Sequence, residues 1–160
     1  MSSPFFWQSL LAYGKYTTFT PTGTWTTNTT YTGNWFRLGE NMFLNYKVAL
    51  AGAPTATILI LNMPLVGGVT ATIDTSKLLQ SGNPARSAIF SSISISDANG
   101  PFFVGSVTIN DATSFTISTL VTTGTTFISR TAVNATNPIT FASGDDITIQ
   151  AAVPISGWSV

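Results

Sequence analysis

The residues of this chain that could do chemistry are six carboxylates, three lysines and many serines and threonines. There is no histidine and no cysteine. That removes Ser–His and Cys–His nucleophile pairs and the common transition-metal donor sets. A Ser–Lys pair remains as a nucleophile arrangement, but Lys15, Lys47 and Lys77 lie in no nucleophile motif. Two carboxylates facing one cleft would suffice for glycoside hydrolysis. The candidates are Glu40, Asp74, Asp97, Asp111, Asp145 and Asp146. Most sit in turn-like sequence, where Asp side chains accept hydrogen bonds from nearby backbone. Asp145 and Asp146 are adjacent at the start of a strand, so their side chains should diverge. They read as turn caps, and no catalytic residue is assigned. Neither "DANG" nor "GDD" has the ligand number or spacing of a calcium loop. No metal and no cofactor is expected. The sequons at Asn28 and Asn134 are of the kind a Thr-rich chain produces by chance.

The surroundings of these residues say more than the residues themselves. Acidic and basic side chains balance at six each, and charged residues make up 8% of the 160. An average soluble protein has about a quarter. Such a chain has no electrostatic footprint for nucleic acid or an anionic membrane. It also has little charge to hold copies apart, which favours association. No apolar run is long enough for a membrane-spanning helix. The N-terminus "MSSPFFWQSLLAYGKY" lacks a basic leader region and does not read as a signal peptide.

Two parts are expected: an N-terminal apolar arm, residues 1–16, and a single domain, residues 17–160. Ser3–Pro4 and Gly14 would suit the ends of a short helix over 4–13. Phe5, Phe6, Trp7, Leu10, Leu11 and Tyr13 cover too much of such a helix for one sheltered stripe, and an extended arm fits equally. The stretch "TTFTPTGTWTTNTTYTGN" predicts irregular edge strands and turns. Its interleaved Phe19, Trp25 and Tyr31 argue against a flexible linker.

Beyond Trp35 the signal is β throughout. Met42, Leu44, Tyr46, Val48 and Leu50 alternate with Asn45 and Lys47 on the other face. "TATILILNMP" predicts a strand covered on both sides. "AIFSSISIS", a turn "DANGP" with positive φ at Asn99–Gly100, and a hairpin of "FFVGSVTIN" with "SFTISTLV" follow. Phe102 and Phe103 are expected in the core. "PITF", the turn "ASGDD" and "ITIQAAVPI" complete the sheet. This spacing of strands predicts an all-β sandwich or barrel.

Two motifs then stand together. Trp35-Phe36-Arg37-Leu38-Gly39-Glu40 opens the alternating pattern, and Val153-Pro154-Ile155-Ser156-Gly157-Trp158 closes the chain. The pairing resembles the head domain of many bacteriophage and prophage virion proteins, notably tail-fibre tips. That domain opens on Trp-x-Arg-x-Gly-Asp and ends on Val-Pro-Ile-x-Gly-Trp. The likeness covers roughly residues 20–160 and departs at Glu40, where Asp is usual.

The resemblance implies an antiparallel jelly-roll β-sandwich, similar to the tumour necrosis factor and complement globular-head fold, assembled as a homotrimer. It implies a last strand inside the sheet and a terminus near the subunit contact, with Trp35, Arg37, Gly39, Pro154, Gly157 and Trp158 as fold or interface residues. Arg37 would stack, pair with a carboxylate, or stand exposed.

The domain fills nearly the whole sequence; if this is the full gene product there is no shaft, and the expectation is a capsid decoration, or cement, protein on the virion surface. Its partner would be the major capsid protein, contacted through the arm residues Phe5, Phe6, Trp7, Leu10 and Leu11. The alternative is a tail-fibre or baseplate tip that meets other tail proteins and a host receptor through loops such as "QSGNPARS" or "DANGPFF". A glycan-cleaving enzyme is a third, weaker reading.

Overall fold

The computed structural model describes residues 15–78, 89–123 and 127–159. The arm residues Phe5, Phe6, Trp7, Leu10 and Leu11, the choice between helix and extended arm, and the whole of "QSGNPARS" lie outside the described residues.

The described chain is all-β. Its strands are β1 (Thr17–Phe19), β2 (Thr29–Leu38), β3 (Asn41–Leu50), β4 (Ile60–Asn62), β5 (Leu65–Val66), β6 (Val69–Thr70), β7 (Phe90–Ser96), β8 (Phe102–Asp111), β9 (Ser114–Thr123), β10 (Phe127–Ala132) and β11 (Asp146–Pro154). One antiparallel sheet runs β1-β2-β3-β11-β7-β8-β9-β10, and β4 joins it on β9. β5 and β6 form a separate small hairpin, turning on Gly67 and Gly68.

The large sheet curls into two layers. β1 borders β2, while the segment directly after it pairs with β4, through Thr24 N–H to the Ile60 carbonyl and Asn62 N–H to the Thr22 carbonyl. Both ends of the sheet therefore share residues 17–24, which closes a sandwich-like shell. The strand nearest the C-terminus, β11, lies in the middle of one layer, between β3 and β7.

Alternation fills the shell. Met42, Leu44, Tyr46 and Val48 of β3, Ile147, Ile149 and Val153 of β11, and Ile93 and Ile95 of β7 are buried in one layer. Leu59, Leu61, Val107, Phe115 and Ile117 meet them from the other. Each such side chain contributes about 1.5–3 kcal/mol relative to exposure. Tyr46 sits at the centre, edge-on to Phe19 and Phe115. Trp25 is fully buried against Phe141, and its indole N–H reaches the Thr57 carbonyl at 2.9 Å. The Thr-rich stretch thus carries core anchors.

Four local expectations fail. "TATILILNMP" gives only the short β4, with Leu59, Leu61 and Met63 buried while Ile58 and Asn62 face outward. It ends one layer and is covered on one side only. "PITF" forms no strand; its Phe141 is instead a loop-borne core residue. The Asn99–Gly100 turn uses no positive φ, because Asp97 closes it by accepting the Asn99 N–H at 2.9 Å. Phe102 is exposed, since its β8 neighbours Phe103 and Val107 take the inward positions.

Candidate functional site: an uncharged sheet face and a motif corner

The carboxylates are all engaged in structural roles. Asp74 caps the 3₁₀ turn Thr75–Lys77, and its hydrogen bond from Ser76 holds its carboxyl below the usual range. Asp111 accepts from Thr113 N–H and hydroxyl at 2.7 and 2.8 Å, which lowers its pKa likewise. Asp145 is buried and accepts the N–H groups of Ala98 and Ala142 at 2.9 and 2.7 Å, fastening two loops. Asp146 turns the other way, to Lys47 at 3.4 Å. Lys77 lies 2.7 Å from Glu40 and 3.8 Å from Asp74, and the Glu40 bond raises the lysine's pKa. Among the described residues, no three His, Cys, Asp or Glu side chains come together as a metal site. No described helix is long and apolar enough to cross a membrane.

The two sequence motifs meet at one corner. Pro154 pairs with Asn41, and Ile155 N–H donates to the Glu40 carbonyl at 3.0 Å. On its other side, Ser156 N–H reaches the Thr72 carbonyl at 2.8 Å. The Arg37 guanidinium lies 4.7 Å from the centre of the Trp158 ring. It also donates to the carbonyls of Gly39 and Ser159, each at 2.8 Å. Trp35 packs on the same indole, with ring centres 6.0 Å apart. Gly39 and Gly157 supply the positive φ values, 61° and 78°, that bend both segments into place. Trp35, Arg37, Gly39, Pro154, Gly157 and Trp158 thus form one cluster, in which Arg37 stacks on an aromatic ring and hydrogen-bonds to carbonyls. A terminal Trp is held because an arginine and a second indole flank it.

The outer face of β2, β3, β11 and β7 was not singled out by sequence reasoning. Strand register sorts its side chains into rows. Phe36 faces Phe43, Phe43 faces Ala152 and Ala152 faces Phe90. Tyr16 extends this row at the β1 end, edge-on to Phe36 at 5.0 Å, and Phe36 stacks on Phe43 at 4.9 Å. The next row holds Thr18, Asn34, Asn45, Gln150 and Ser92. Asn45 donates to Asn34 at 2.7 Å. The third holds Thr32, Lys47, Thr148 and Ser94.

Lys47 and Asp146 supply the only charges among these outward positions, and they pair with each other. Phe90 is 86% exposed and Tyr16 54%. A shallow groove of about 280 Å³ runs along the aromatic row, lined by Tyr16, Phe36, Phe43, Phe90, Gln150 and Ala152. None of the six carboxylates lines it. The signal available in sequence was Phe43 between the inward Met42 and Leu44, and Phe36 beside Trp35.

No family model, curated protein or solved structure matches this chain.

Proposed function

We propose that this protein is a bacteriophage structural protein, a homotrimeric jelly-roll decoration protein that seats on the major capsid protein and stabilises the head shell. The observation that carries this reading is the outer face of β2-β3-β11-β7, a broad surface of carboxamide, hydroxyl and threonine rows with a single, self-neutralised charge pair. Carboxamide and hydroxyl rows present donors and acceptors together, so they can match a neighbouring backbone without leaving a buried charge. The motif corner supports the same reading through the resemblance, because the two stretches that resemble the phage head-domain motifs pack together.

The carboxamide row beside aromatic rings also suits sugar recognition, which favours a receptor-binding tail tip as the second reading. Gold-labelled antibody on intact virions separates the two. Label spread over the head supports decoration, label confined to the tail end supports adsorption, and virions without label overturn both. A monomer in light scattering at micromolar concentration would overturn the trimer.

A further inference from the structure

We propose that the aromatic row is the seat of the chain's own N-terminal segment, residues 1–14, laid across β2, β3, β11 and β7. The inference concerns this chain alone and does not rest on the virion reading. The described chain begins at the end of that row. Tyr16 is its first ring, packed on Phe36, which stacks on Phe43. The groove continues past Ala152 to Phe90 and carries no charged side chain.

The segment that enters it matches in chemistry. Fourteen residues precede Lys15; Phe5, Phe6, Trp7, Leu10, Leu11 and Tyr13 are among them, and none is charged. Its reach is also sufficient. From β1 to β7 there are four inter-strand steps, about 19 Å in all. About six extended residues cover that distance. Tyr13 would then lie near Phe43, and Leu10 near Phe90.

Tethering favours this occupant over a second molecule. A short flexible tether holds its end at an effective concentration in the millimolar range, well above micromolar protein. Covering the aromatic row would leave the carboxamide and threonine rows for an outside partner.

The absence of cysteine makes a direct test available. Leu10→Cys combined with Ser92→Cys places one thiol on the segment and one beside Phe90 without altering the row. The same Leu10→Cys with Leu65→Cys, on the exposed β5–β6 hairpin, is the control. The expected result is an intramolecular disulfide that forms at least fivefold faster in the first variant, at a rate independent of protein concentration. Equal rates in the two variants would overturn the proposal. So would cross-links joining two chains, which would assign the row to a second copy.

Deleting residues 1–13 leaves Tyr16 and β1 in place and should raise binding of a hydrophobic fluorescent dye several-fold. Phe90→Ser in the deleted chain should return it toward the full-chain level. Dye binding unchanged by the deletion would also overturn the proposal.

Discussion

The same strands, β2, β3, β11 and β7, present two faces that obey different rules. The inner face is continuous with the core: Leu44, Tyr46, Val48, Ile147, Ile149, Ile93 and Ile95 meet the opposite layer with almost no exposure. The outer face is built of separate rows: one aromatic, one of carboxamides and hydroxyls, one of threonine, serine and lysine. Burial on the inner face selects for volume and shape, because a cavity costs both transfer energy and lost contacts. Among the described residues, nothing packs over the outer face to make such a demand. Its aromatic rings add little to folding while they stand in water, so their presence points to an occupant.

That contrast can be tested by substitutions on either side of it. The largest effect belongs to the inner face. Phe115→Ala removes a fully buried ring packed against Tyr46, and should cost about 3–5 kcal/mol in urea unfolding. Next is Asp145→Ala, which strands the N–H groups of Ala98 and Ala142. About 2 kcal/mol is expected, since a hydrogen bond to a charged group contributes about 1.5–3 kcal/mol and both donors, on exposed Ala98 and Ala142, can partly return to water.

High pH probes the inner face differently. Burial pushes the Tyr31 phenol up to about 12, and burial raises Tyr46 further. Both are protonated in the folded chain at pH values where the unfolded chain ionises, near 10. Above that pH the unfolded state binds fewer protons, so stability should fall as pH rises from 10 toward 12. Unfolding midpoints followed across that window check the sign; a flat profile would contradict the burial of these phenols.

Arg37→Ala at the motif corner should cost about 1–2 kcal/mol, from a lost ring contact and two carbonyl bonds. Arg37→Lys should recover little of it, because an ammonium lacks the planar fork. The smallest effect is expected outside. In the chain lacking residues 1–13, Phe90→Ser should change stability by less than about 0.5 kcal/mol while lowering dye binding. A loss of several kcal/mol there would mean that the outer face belongs to the core after all.

Much of the fold was legible in the chain itself. Period-two alternation placed the inward residues of β3 correctly, residue by residue, because a strand sends successive side chains to opposite faces. The β8–β9 hairpin around Asp111 and the cap-like use of the acidic residues followed from equally local rules. Alternation failed where burial is set by neighbours. Phe102 and Phe103 look alike in sequence, yet one is exposed and the other packs on the core. Phe141 reads as a strand residue and is a loop anchor.

The sequence by itself determined that this protein is all-β, poor in charge and without histidine or cysteine chemistry, since composition and side-chain period are properties of the chain alone. Only the tertiary structure decided which distant residues share a surface. β2, β3, β11 and β7 are brought side by side from across the chain, and their register lines up Phe36, Phe43, Ala152 and Phe90. The same closure sets Arg37 against Trp158, with Ser159 within its reach. Long-range pairing depends on the summed packing of the whole shell, and no local pattern in a strand names its neighbour.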